Sequence, residues 1–253
     1  MAYENPIPNL DDIIASSTTD SEMDYKPLKE VYFAFIDVLG FKKTFDDMKI
    51  SQKDDIADKY KDVFNYYFAL MNASKFMSKG DKNRCYAGQT SDSLYFYTER
   101  PDYLLQFIKI FSHFSLYAMS KNVFFRGGIA KGTLYMKEMH QFYGDSVIGA
   151  YLVESNVSKR PIIVIDEKTH LDMEKVPGYK EIMDDKQGRH YIKPFKFLNE
   201  KISLDIDEKF ELRGIDCKEI ERNILENKEA FEYDPNNYSK YTFLLDEFNE
   251  SNK

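Results

Sequence analysis

The sequence predicts an α+β fold: a mixed antiparallel sheet covered by helices, with a C-terminal appendage. Three observations carry this. Apolar, β-branched and aromatic runs at 31–38 and 161–166, each bounded by turn residues, read as buried strands. Two stretches with apolar residues at helical spacing alternate with pairs of short strands, an order that suits a sheet covered on one face. Residues 215–248 are mostly polar helix and differ in composition from what precedes them.

Taken in order, residues 1–29, with three of the chain's prolines and the run ASSTTDSEMD, read as a mobile leader. The strand at 31–38 ends on Asp37 and runs into Leu39-Gly40-Phe41. A helix is expected over 51–73, with Ser51 as its cap and Ile56, Tyr60, Val63, Tyr67 and Met71 along its inner stripe. A basic turn follows at 78–84. The segment CYAGQTSDSLYFY (85–97) reads as two short strands around a tight turn at Thr90-Ser91-Asp92. Pro101 opens a second helix, as proline does at a first helical position. VFFRGGIAKGTLYM (123–136) is a strand carrying three glycines, which signals a bulge or a close backbone approach. Residues 144–156 form a helix after a Gly-Asp turn, 161–166 a strand, 167–175 a short helix and 190–198 a further strand. The chain therefore divides into a leader (1–29), a main domain (30–175) and a C-terminal strand and helical extension (176–253).

Composition narrows the function classes. The 253 residues carry a net charge of −8, which argues against general binding to nucleic acid or to an anionic membrane. Two cysteines, Cys85 and Cys217, lie far apart without a CxxC, so neither a disulfide framework nor a zinc site is indicated. No apolar run approaches the roughly 20 residues of a membrane span, and the first residues are too polar for a signal peptide. The expectation is a cytoplasmic protein. His113, His140, His170 and His190 share no ligand spacing, and His113 reads as a satisfied interior histidine.

Two carboxylates remain to be explained. Asp37 ends a strand and Asp92 sits in a hairpin turn; in a fold of this order those ends can lie side by side. Facing carboxylates repel unless a cation lies between them, and hard divalent ions take oxygen ligands. Gly40 would let backbone N–H groups approach phosphate oxygens. Singly, each of these features reads as a turn residue or a bulge, and Arg126 as a surface charge.

Together they resemble a known family. FIDVLGF (35–41), SDSLYFY (91–97), FRGGIAKGTLY (125–135) and YGDSVIGAYLVES (143–155) are similar, in order, to the four successive motifs of class III nucleotide cyclases, over about residues 31–166. The resemblance implies a class III cyclase or palm-like sheet and a homodimer with composite sites. It implies attack of a ribose 3′-hydroxyl on the α-phosphate of a nucleoside triphosphate, releasing pyrophosphate. Asp37, Asp92 and the Val38 carbonyl would hold two Mn2+ or Mg2+ ions. Leu39, Gly40 and Phe41 would bind phosphates, while Arg126 and Lys131 stand as further candidates for catalysis and substrate binding.

The departures from the family are specific. Its ribose-orienting asparagine falls at Ile148 and its transition-state arginine at Leu152; neither apolar side chain can do that work. Electrostatic donors of this kind are worth about 3–4 kcal/mol, so Arg126, Lys131, Lys159 or Arg160 would have to substitute. The purine-reading lysine and aspartate fall near Gly88-Gln89 and at Gln141. Gln89 and Gln141 are amides that could read another base edge. This pattern resembles the cyclases of Pycsar antiphage systems, which make cyclic UMP or cyclic CMP with manganese. Two other readings stay open: a degenerate cyclase fold that binds a nucleotide and regulates, and a palm-type cyclic dinucleotide synthase. The latter usually carries paired acidic residues where SDS has one.

Overall fold

The structure, a computed structural model, describes residues 26–41, 53–79, 85–138, 141–185, 188–198 and 203–252. Most of the expected leader, the Ser51 cap and most of the basic turn at 78–84 lie outside these residues.

Strand β1 (Lys26–Val38) is central and longer than the apolar run, beginning inside the expected leader. It is followed by α1 (Lys53–Ala73) and the short α2 (Lys75–Lys79). The hairpin β2 (Cys85–Thr90) and β3 (Ser93–Thr98) turns at Ser91-Asp92. Helix α3 (Pro101–Ser120) opens with proline in its first turn, as expected. Strand β4 (Phe125–Glu138) folds back into β5 (Gln141–Tyr143). Helix α4 (Asp145–Leu152) runs directly into a π turn, Val153–Val157, before β6 (Ile163–Ile165). Short elements follow: α5 (Glu167–Met173), α6 (Tyr179–Ile182), β7 (Met183–Asp185) and β8 (His190–Ile192). The polar C-terminal helix is two helices, α7 (Cys217–Ala230) and α8 (Pro235–Ser251). Asp234 caps α8 by accepting from the Asn236 and Asn237 amides, and Pro235 starts it.

The eight strands form one mixed sheet in the order β2-β3-β1-β4-β6-β8-β7, with β5 beside β4. The β4–β6 pair is parallel, joined through α4; the other pairs are antiparallel.

Alternation along the strands sorts side chains onto two faces. Tyr32, Ala34, Ile36 and Val38 of β1 point into the main core with Leu94, Phe96 and Ile129, against α1 and α3. Phe96 and Phe107 stack there at 4.1 Å. The C-terminal appendage buries Ile220, Ile224 and Leu244 completely in this same core, and Asn223 donates to the Met119 carbonyl at 2.9 Å. Tyr66 and Tyr67 are core residues too, and the Tyr66 hydroxyl satisfies His113 at 2.9 Å. Burial holds the His113 pKa down at about 4, so it stays neutral. Val31, Phe33, Tyr95, Tyr97, Ala130 and Leu134 line the opposite face, where α4 packs through Ala150.

Candidate active site

Asp37 belongs to that second face. It is in register with Ser93 on one side and Arg126 on the other. Ser93 is the residue after Asp92, so the hairpin brings the two carboxylates together at one end of the sheet. Burial raises the Asp37 pKa, and the facing Asp92 carboxylate raises it further. The Ser93 hydroxyl, donating to Asp37 Oδ1 at 3.2 Å, and the Arg126 guanidinium, 3.7 Å from Oδ2, pull the other way without cancelling the rise.

Arg126 sits between acids. Its Nε lies 2.6 Å from Glu154 Oε1, an ion pair without aligned hydrogen-bond geometry. The Glu154 side chain is only 3% exposed and belongs to the π turn. Burial is the chief reason its pKa is raised, with Asp37 adding to the shift and Arg126 opposing it. In the sequence Glu154 lies only within the fourth motif stretch (143–155); its proximity to Arg126 arises from tertiary packing.

That packing depends on Gly128. A Cβ there would lie 2.2 Å from the Ala150 carbonyl oxygen and 2.7 Å from the Glu154 nitrogen. No side chain fits such a gap, so glycine lets α4 and the π turn settle onto the strand. The expected close backbone approach is therefore present. The β1–β4 register is continuous past Gly127 and Gly128, and shifts only between Leu28 and Val31.

Other candidates fall elsewhere. Lys131 is five residues beyond Arg126, so it projects from the opposite face, where it is in register with Tyr32. Its ammonium meets Asp172 at 2.6 Å and Glu30 at 3.1 Å. It is held away from Asp37 and does not join the site. Gln89 pairs with Leu94, also on the main-core side, and its amide donates to the Ser91 carbonyl at 2.7 Å. It shapes the turn that carries Asp92. Gln141 lies in β5. The Leu39 N–H donates to the Phe124 carbonyl at 2.8 Å, so that donor is already used. Gly40 takes φ +77°, a left-handed conformation that suits glycine, and the Phe41 ring packs on Tyr60 at 5.0 Å.

Ile148 and Leu152 stand on the outer side of α4, 59% and 47% exposed, beside exposed Tyr151. They neither fill the core nor offer a polar atom. The turn at 158–160 is partly buried: Ser158 is fully covered and donates to the Ile162 carbonyl at 2.6 Å.

The oxygen donors fit a hard divalent cation, because the Asp92 carboxylate disfavours the charge of Asp37 and a cation between them would relieve this. Among the described residues no group of three or more His, Cys, Asp or Glu is arranged to hold a metal. The pair therefore suits an ion that completes its shell with backbone oxygen, water and substrate phosphate, as magnesium commonly does.

No protein-family model matches the chain, and no curated protein does. Among solved structures it is similar to a monomeric double mutant of the guanylyl cyclase domain of the RhoGC fusion protein from the aquatic fungus Blastocladiella emersonii. The identity is 17%, the TM-score 0.47, and the match covers 66% of this chain and 96% of that one. It is also similar to the guanylate cyclase domain of RhGC from Catenaria anguillulae in complex with GTP, at 18% identity and TM-score 0.45, covering 66% and 97%. Among the described residues no helix is long and apolar enough to cross a membrane.

Proposed function

We propose that the protein is a nucleotide cyclase, converting a nucleoside triphosphate to a 3′,5′-cyclic nucleotide and pyrophosphate. One observation carries this reading: Asp37 and Asp92 converge from a strand end and a hairpin turn at the same end of the sheet, close enough to raise Asp37. Two Mn2+ or Mg2+ ions would be held by Asp37, Asp92 and the Val38 carbonyl; when bound, they would polarise the phosphates and favour the 3′-alkoxide. Arg126, steadied by Glu154, would face the charge that develops as the O3′–Pα bond forms and the bond from Pα to the β-phosphate oxygen breaks. The hydroxyl proton is lost to solvent.

The preferred substrate in this reading is UTP or CTP, because the purine-reading lysine and aspartate of the family are replaced near Gly88-Gln89 and at Gln141. A role in antiviral signalling follows from the same resemblance. The exposed Ile148, Tyr151 and Leu152 give a homodimer an apolar patch to cover; a strict monomer with full activity in light scattering would remove the composite site.

The test is incubation of the purified protein with each ribonucleoside triphosphate, with manganese and then magnesium, and product identification by mass spectrometry. Cyclic UMP or cyclic CMP is expected. An oligonucleotide product would move the protein to the palm-type cyclic dinucleotide synthases. A second reading, a nucleotide-binding regulator without turnover, is favoured by the apolar side chains at Ile148 and Leu152. Bound nucleotide with no product from any combination would select it.

A further inference from the structure

Helix α8 turns a stripe of Asn237, Lys240, Tyr241, Leu244 and Phe248 inward, and Tyr241, Leu244 and Phe248 are buried. A half-buried lysine on such a stripe calls for a partner. The helix is pinned on both sides of Arg126. The Tyr241 ring meets Phe124, two residues before Arg126, at 5.3 Å. The Phe243 ring lies under the Arg160 guanidinium at 4.4 Å, on the segment leading into β6. These two footholds lie just before neighbouring strands, β4 and β6, which the Gly127 N–H ties together by donating to the Ile162 carbonyl at 3.1 Å.

Lys240 Nζ donates to Asn237 Oδ1 at 2.8 Å. Among the described residues neither Lys240 nor Arg160 makes an ion pair with a carboxylate. Burial lowers the Lys240 pKa and the positive charge of Arg126 lowers it further, while the Asp234 carboxylate at the start of the helix opposes the shift without cancelling it. In a chain of net charge −8, carboxylates to neutralise these cations are plentiful. Arg126 is already paired with Glu154 and Asp37, whereas Lys240 and Arg160 bring further positive charge toward the carboxylate end of the sheet, where a charge-assisted contact to an anion can form.

We infer that Lys240, together with Arg160 and Arg126, forms a subsite for a polyphosphate, which α8 lays beside the carboxylate end of the sheet. The ligand class is the β,γ-phosphate tail of a nucleoside triphosphate, or the pyrophosphate it releases. The inference rests on the cyclase reading and deepens it: the C-terminal helices supply from within the same chain a cation of the kind missing at Leu152.

The experiment uses the full chain and magnesium pyrophosphate as the probe, titrated calorimetrically into wild type, Lys240→Gln, Lys240→Arg and Arg160→Gln. Lys240→Gln should weaken binding by about tenfold or more, as loss of a charge-assisted hydrogen bond does. Lys240→Arg should retain most of the affinity, and the melting temperature of Lys240→Gln should stay near wild type, which a purely structural role would not allow. Arg160→Gln should weaken binding in the same direction. Parallel titration of magnesium with the triphosphate found to be the substrate separates the two sources: a loss seen with triphosphate alone places Lys240 on the substrate tail, a loss with both places it on the leaving group. Wild-type pyrophosphate and triphosphate affinity in Lys240→Gln would overturn the inference while leaving cyclic product formation, and so the cyclase reading, intact. Absence of any cyclic product would remove that reading, and the pyrophosphate titration would still decide the subsite.

Discussion

Strands β1 and β4 carry two charged clusters on opposite faces of one sheet. Around Lys131, charges match: Asp172 and Glu30 contact the ammonium, and the Tyr32 hydroxyl donates to Asp172 at 3.2 Å. Both carboxyls are held below their usual range, mainly by hydrogen bonds from lysines, and the lysine is shifted upward. Around Arg126 charges conflict. Asp37 and Glu154 are both raised, chiefly by burial, and each is disfavoured by a neighbouring acid. Same strands and similar residue types give opposite shifts. The first cluster balances its own charges; in the second, neighbouring acids oppose one another.

The comparison can be broken at its strongest point first. Asp37→Ala and Asp92→Ala should each abolish cyclic nucleotide formation, by about 10³-fold or more, with circular dichroism unchanged. Full turnover in both would leave the conflict on this face without a catalytic meaning.

The next effect is on packing. Gly128→Ala places a methyl against the Ala150 carbonyl and the π turn, atoms that cannot swing aside. Destabilisation of about 3 kcal/mol or more is expected in urea unfolding. A near-neutral result would mean that α4 can lift off the strand and that the Arg126–Glu154 pair is not held by backbone contact.

Lys131→Met should destabilise by about 1–2 kcal/mol, between a screened surface pair and a buried one. Product formed should follow only the folded fraction; a larger loss would return Lys131 to substrate binding. The pH dependence has a definite sign. Asp172 is depressed, so its contribution is present above its unfolded pKa of about 3.9 and is lost as pH falls through the folded value. Lys131 is raised, so its part holds below about 10.4. The difference in melting temperature between wild type and Lys131→Met should be flat near neutrality and shrink in acid.

The smallest effect has the opposite sign. Asp37 is raised, so ionising it disfavours the fold, and wild type loses ground to Asp37→Asn as pH rises from about 3.9 through the folded value. In metal-free buffer at pH 7 the asparagine variant should melt higher, by up to about 2–4 °C for about 1 kcal/mol. Added Mg2+ or Mn2+ should narrow or reverse the gap. A lower melting temperature in Asp37→Asn would show that its contact with Arg126 outweighs the conflict.

Much of the second cluster was legible because its signals are local. A strand that ends on Asp37, a hairpin that turns at Asp92 and a glycine-bearing strand after Arg126 can each be read from a few neighbouring residues. Face assignment was also available. Once Arg126 is placed beside Asp37, an odd separation puts Lys131 on the other side, and counting outward from Asp92 does the same for Gln89 through its pairing with Leu94. The break at Asp234-Pro235 was marked by a capping residue and a proline inside what read as one polar helix. Glu154 and Lys240 were beyond local reach. Both approach Arg126 only through packing, Glu154 across the Gly128 contact and Lys240 from more than a hundred residues away. Three-residue strands such as β7 and β8 carry too few side chains for a period to show.

The π turn at Val153–Val157 has a consequence for how this chain tolerates insertion and deletion. Such a turn holds one residue more than the α-helical turn it replaces. The Ser158 N–H closes it on the Val153 carbonyl at 2.9 Å and sends the chain toward β6. Deleting one residue there would let the helix continue and swing the following segment by about 100° and 1.5 Å. β6 would then meet β4 with its faces exchanged. At Asn156, which is exposed, a substitution changes a side chain in solvent, whereas a deletion would re-register the strands β6, β8 and β7 that follow.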